Sequence, residues 1–188
     1  MRKYYIWLII ILLLLLGLTF FNLYRLDNKK IKKINYSRER ETNYLKLAEK
    51  FNGLEFPVIK IYNAINDNVI ETKIKKGFIV LLSNSGCNPC QIRELKNIEE
   101  FLRVYNKVKD TYAIYVDNYN RIDALRLKKL SAISFPICYF SNDILSENFL
   151  TKPFPKIFFI ENQKIISTLI PIPDKVSFSE DFDRKIRN

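Results

Sequence analysis

Histidine is missing from this 188-residue sequence. Without an imidazole there is no Ser-His or Cys-His nucleophile pair, no His-ligated zinc and no imidazole general base. Glycine occurs only four times, too few for a long flexible linker or a Gly-rich phosphate loop. With three cysteines and no histidine, a closed zinc site would have to recruit carboxylate, so neither a metal nor another cofactor is expected. Apolar residues are plentiful: 48% of the chain is hydrophobic and 14% aromatic, which excludes a disordered protein and leaves room for one domain plus an accessory segment.

The net charge of +11 suggests nucleic acid until it is located along the chain. Residues 1–50 hold eleven Lys/Arg against four Asp/Glu, so most of the surplus lies there. The rest is only mildly basic, and no concentrated basic face marks it for nucleic acid. The surplus instead flanks an apolar run, where basic residues meet anionic lipid headgroups.

Residues 4–21 form that run, with no charged residue in it. As a helix it would span about 27 Å, close to the thickness of a bilayer's hydrocarbon. Tyr4, Tyr5 and Trp7 at one end and Tyr24 beyond the other suit the membrane interfaces. No small-x-small cleavage pair follows, since the residues there are Thr19, Phe20, Phe21, Asn22 and Leu23, and there is no lipobox cysteine. The expectation is an uncleaved anchor that contacts lipid through residues 4–21. Counted by the positive-inside rule, Arg25, Lys29, Lys30, Lys32 and Lys33 would keep the following domain in the cytoplasm. A short charged N-tail before an apolar segment and a large domain is also the layout of a signal anchor that exports the domain.

The expected organisation is a short N-tail and anchor over residues 1–28, a basic helical stalk over 29–53 and a folded domain over 54–188. Asn52 and Gly53 provide the stalk's stop. Residues 58–62 and 69–74 alternate apolar and polar around Asn66-Asp67-Asn68, which reads as a hairpin. Residues 78–82, Phe-Ile-Val-Leu-Leu, read as a strand buried on both faces. Ile92, Leu95, Ile98, Leu102 and Tyr105 then recur at helical spacing. A strand at 111–116, a helix at 121–130, a short strand at 135–140 and a hairpin over 156–160 and 165–170 follow. Phe178, Phe182 and Ile186 allow a small closing helix. Strands separated by helices and finished by a hairpin indicate an α/β sandwich around a mixed sheet.

Cys87-Asn88-Pro89-Cys90 falls where the buried strand gives way to the helix. There the unpaired N–H groups and the positive end of the helix dipole stabilise a thiolate, lowering a thiol pKa from its usual ~8.5. Cys87 is the expected nucleophile. Cys90, one turn along, can attack the resulting mixed disulfide and release the partner. Pro89 suits a first helical turn, where a missing N–H costs little. A structural disulfide, a metal site completed by carboxylates and chance placement are the competing readings. The strand-to-helix context argues against the last.

A second landmark is Lys152-Pro153-Phe154-Pro155, directly before the strand of the last hairpin. The order of residues 73–90, then helix, strand, helix and residues 152–166 resembles the membrane-anchored thioredoxin-like thiol-disulfide oxidoreductases of bacteria, the TlpA/ResA and redoxin group. The resemblance covers roughly residues 56–170. It implies a thioredoxin-like mixed sheet with a leading β-hairpin, a catalytic Cys87, a resolving Cys90 and a cis-proline at Pro155, with Pro136 as a rival. Phe154, Asn88 and Pro89 would line the groove for a partner. It also implies an extracytoplasmic domain exchanging disulfides with protein thiol clients, and a membrane protein that donates or accepts electrons.

Two departures stand out. Gly86 occupies the place of the aromatic that usually precedes the first cysteine, and Leu81 stands where thioredoxins carry a buried acid. Glu94 is the nearest substitute, although its sequence reads as a solvated glutamate. Cys138 reads as a buried apolar cysteine. Two other functions remain open: a tethered binding module with little turnover, and a thiol peroxidase. The latter would need Thr or Ser at the place of Asn84.

Overall fold

The structure, a computed structural model, describes residues 2–104, 110–117, 121–139, 145–172, 182 and 186, without the side chains of residues 2–15 and 33. Helix α1 runs without interruption over Arg2–Glu49, the stretch in which the anchor and most of the stalk are expected. Among the described residues no helix is long and apolar enough to cross a membrane. Most of the apolar run at residues 4–21 lies outside the described side chains. Contacts divide the chain into Met1–Asn43 and Tyr44–Asn188. In the first unit Phe20, Phe21, Leu23, Tyr24 and Leu26 are exposed along the helix.

The second unit begins with the last turns of α1, which bury Ala48, and with Phe51. Gly53, at φ +85°, turns the chain away, and its N–H donates to Ile165 O at 2.7 Å. Strands β1 (Lys60–Asn63) and β2 (Val69–Glu71) form the leading antiparallel hairpin. It is shorter than the alternation at 58–74 predicts because Thr72 ends the ladder. The Thr72 hydroxyl accepts from Ile59 N at 2.9 Å and donates to Pro57 O at 3.1 Å.

Strand β3 (Lys76–Leu82) is buried along nearly its whole length and leads through the cysteine motif into α2 (Asn88–Val104). Then come β4 (Asp110–Tyr115), α3 (Arg121–Ser131), β5 (Ile137–Tyr139), the short α4 (Glu147–Leu150), and the hairpin of β6 (Lys156–Glu161) and β7 (Lys164–Leu169). The sheet order is β2-β1-β5-β4-β3-β6-β7. The β3–β4 and β4–β5 pairs are parallel, and the others antiparallel. This is the expected mixed-sheet sandwich.

Each face of the sheet has its own core. One gathers Phe78, Val80 and Leu82 with Leu95 and Ile98 of α2, Leu127 of α3, and Phe182 and Ile186. The other gathers Ile79, Leu81 and Phe158 with Ala48, Phe51, Phe56 and Phe149. Residues of β3 therefore alternate between two apolar layers, which explains the unbroken apolar run. Phe182 and Ile186 are helical and buried, whereas Phe178 and the residues between them lie outside the described residues, as do Tyr105 and Phe140.

Candidate active site

Cys87 and Cys90 are joined as a disulfide, with their Cα atoms 5.2 Å apart. Cys87 is exposed and Cys90 half-buried. The Cys87 carbonyl accepts the first intrahelical bond of α2, from Gln91 N at 2.9 Å. Cys87 is thus the N-cap, and its sulfur lies where a capping oxygen sits in other helices, accepting from Cys90 N at 3.3 Å. Asn88 and Pro89 fill the first two helical positions and are exposed. The arrangement directs an N–H and the helix dipole at one sulfur, the two influences that favour a thiolate.

The loop that delivers Cys87 is held from below. Gln91 is fully buried. Its Oε1 accepts from Ser83 N at 2.9 Å, while its Nε2 donates to Ser83 O at 3.0 Å and Asn88 Oδ1 at 3.2 Å. Asp117, just past β4, accepts from Ser83 Oγ at 3.0 Å and from Asn84 N. Asn84 Nδ2 also donates to Asp123 of α3 at 2.9 Å. Sequence reasoning identified neither Gln91 nor Asp117, since their partners lie on other elements.

A cavity of about 160 Å³ opens beside Asn88. Helix α3 supplies one stripe of it, Asp123, Arg126, Leu127 and Leu130, and Asn84, Asn88 and Tyr115 close it. Burial, with the carboxylates of Asp123 and Asp117 nearby, pushes the Tyr115 phenol up.

Pro155 is buried at the start of β6. The next residue, Lys156, pairs with Leu81 near the end of β3, so Pro155 lies at the sheet end that carries the cysteine loop. The Phe154–Pro155 peptide is cis, and so is Lys152–Pro153; the bond before Pro136 is not among the cis peptides. Phe154 does not open onto the surface. Its ring is buried, with Lys156 Nζ 4.3 Å from its centroid, a cation–π contact that draws it inward.

Lys156 itself is fully buried, and its ammonium donates to the carbonyls of Phe149, at 2.8 Å, and Thr151. Burial lowers its pKa to about 8. Glu94 corrects the sequence reading of a solvated side chain, for its accessibility is 0%. Burial raises its pKa, against the hydrogen bonds from Arg93 Nε at 3.0 Å and Asn97 Nδ2 at 3.2 Å. Cys138 is buried on β5, and burial pushes its thiol up to about 12. Among the described residues no group of three or more His, Cys, Asp or Glu is placed to hold a metal.

A seven-stranded mixed sheet with a Cys-x-x-Cys pair at a strand-to-helix turn is a thioredoxin-like fold. Solved structures share that fold at low identity. A candidate thiol:disulfide interchange protein DsbE from Chlorobium tepidum matches with a TM-score of 0.54 at 15% identity, over 72% of this chain and 95% of that one. A thio-disulfide isomerase from Thermus thermophilus matches at 0.53 and 14% identity, over 71% and 93%. An uncharacterized conserved protein from Geobacillus kaustophilus matches at 0.55 and 14% identity, over 71% and 78%. No family model and no curated protein matches the sequence.

Proposed function

We propose that this chain is a membrane-tethered thiol-disulfide oxidoreductase acting on extracytoplasmic protein clients. The observation that carries the reading is the Cys87 sulfur at the N-cap of α2, bonded to Cys90 and accepting its N–H. In the reduced protein the Cys87 thiolate attacks a client disulfide and expels one client sulfur, which takes up a proton. The Cys90 thiol then loses its proton and attacks Cys87, breaking the mixed disulfide and releasing the second client thiol. Two electrons pass to the client and the Cys87–Cys90 disulfide forms. The reverse sequence oxidises a client dithiol, and a membrane protein resets the pair.

Tethering is supported by the uncharged run at residues 4–21 within a continuous helix. Export is supported by the resemblance to anchored bacterial members. A client segment bonded to Cys87 would lie across Asn88 and Pro89, with Pro155 at the same end of the sheet.

The test uses the full chain in detergent. Reduced protein should exchange disulfides with a dithiol-reporter substrate, and Cys90→Ser should trap a client as a mixed disulfide at Cys87. Absence of both would refute the oxidoreductase reading and favour a binding module, and peroxide consumption with a thiol donor would favour a peroxidase. Topology is read by labelling reduced Cys87 in intact cells with an impermeant thiol reagent; labelling only after lysis would count against export.

A further inference from the structure

Gly86 and Gln91 fit each other. A Cβ added to Gly86 would meet Gln91 Nε2 at 3.1 Å, Ser83 O at 3.1 Å and Gln91 Cδ at 3.2 Å, so the buried amide fills the space that a side chain before Cys87 would need. The same amide donates or accepts three hydrogen bonds, two to the Ser83 backbone and one to the Asn88 side chain. Ser83 ends the buried strand, and Asn88 opens α2. Between them, Asn84, Ser85 and Cys87 are exposed and Gly86 is half-buried, so little core packing holds this stretch.

We propose that Gln91 is a positioning residue: packed on Gly86, its amide locks the loop before Cys87 to the first turn of α2 and keeps the sulfur at its N-cap place after the disulfide is reduced. The inference rests on the reading of Cys87 as the exchanging nucleophile. In the oxidised protein the covalent bond alone would keep Cys87 near Cys90. Once that bond is broken, only non-covalent ties oppose opening of the loop, and the Gln91 amide supplies ties on both sides of Cys87. An opened loop would carry the thiolate away from the Cys90 N–H and the helix N-terminus, the influences that stabilise it. The clamp therefore matters most to the reduced form. Weakening it should raise the Cys87 pKa and make the disulfide harder to reduce. It also accounts for the glycine at the place where the group this sequence resembles usually carries an aromatic.

The test titrates the reduced full-length protein in detergent by thiolate ultraviolet absorbance and measures its potential against glutathione. Gln91→Ala should raise the Cys87 pKa by about one unit, within the span over which helix N-termini shift thiols, and move the potential to a more negative value. Gly86→Ala keeps the Gln91 side chain but pushes its Cβ against the amide, which must shift, so it should move both readouts in the same direction. The double variant should shift them little further than Gln91→Ala alone, because the two changes disrupt one contact. A Gln91→Ala protein with a lower melting temperature but unchanged pKa and potential would overturn the proposal and leave Gln91 a purely structural residue. If Gln91→Ala fails to fold, an unchanged pKa and potential in Gly86→Ala would overturn it equally. A wild-type protein that shows the lowered pKa yet exchanges with no client would refute the functional reading instead, leaving the comparison of variants intact.

Discussion

Lys156 stands directly across the β3–β6 ladder from Leu81, the place where thioredoxins carry a buried acid. Its ammonium is answered by two backbone carbonyls and two aromatic faces, those of Phe51 and Phe154. The pair makes this end of the sheet an apolar layer crossed by one buried amine.

That amine gives a signed dependence of stability on pH. Burial lowers the Lys156 pKa from 10.5 to about 8. Between those values the unfolded chain binds more protons than the folded one, so this group's contribution to stability rises with pH across the window and is flat below it. The full rise is on the order of 3 kcal/mol. Neutral lysine keeps two N–H donors for Phe149 and Thr151. Urea unfolding of wild type and Lys156→Met at pH 7, 8, 9 and 10 should show the wild type gaining relative to the variant as pH rises. A constant difference would mean that the amine titrates alike in both states.

Glu94 predicts the opposite slope at lower pH. Its folded pKa is raised by burial above 4.5, so the folded protein holds the proton longer, and the group's contribution to stability falls as pH rises through that range. Glu94→Gln keeps an acceptor for Arg93 Nε and removes the buried charge. The variant should equal or exceed wild-type stability at pH 7, by up to about 1 kcal/mol, and lose that advantage near pH 4. A loss of stability at pH 7 would mean that the Arg93 pairing outweighs desolvation.

Much of the domain could be read from residue order. The doubly buried β3, the two hairpins and the cysteine pair at a strand-to-helix turn all follow from local apolar patterns, which act over a few residues. The buried polar groups were hidden because their justification is non-local. Gln91 and Glu94 lie on the same inward stripe as Leu95 and Ile98, whereas the apolar pattern starts that stripe at Ile92, which is only partly buried. A polar residue on an apolar stripe looks like an interruption until its partner, Ser83 for Gln91, is placed beside it. Lys156 was masked for a related reason: in a strand buried on both faces no alternation marks which residues turn inward.

Cys138 offers a direct count. Its thiol, buried on β5 and raised to about 12, should not react in the native state at neutral pH. Reduced protein titrated with a thiol reagent should show two reactive thiols, and a third only in denaturant. Cys138→Ala should leave disulfide exchange unchanged and cost about 1 kcal/mol of stability for the cavity it leaves. A fast third thiol in the native protein, or lost exchange in the variant, would assign Cys138 a redox part.

The cavity beside Asn88 bears on client choice. Leu130, 51% exposed, forms its wall with buried Leu127, and Arg126 has no hydrogen bond or ion pair among the described residues. On the proposed function, a client chain bonded to Cys87 would run past Asn88, and one of its flanking side chains would meet this wall. Leu130→Asp removes apolar surface from the contact while leaving the cysteines, Gln91 and Pro155 untouched. For a protein or peptide client, kcat/KM should fall about tenfold, the effect of losing roughly one buried aliphatic contact of ~1.4 kcal/mol. Exchange with a minimal reporter such as bis(2-hydroxyethyl) disulfide, which carries no flanking side chain, should be unchanged. Equal losses on both substrates would locate the effect in the cysteine pair instead of in client binding.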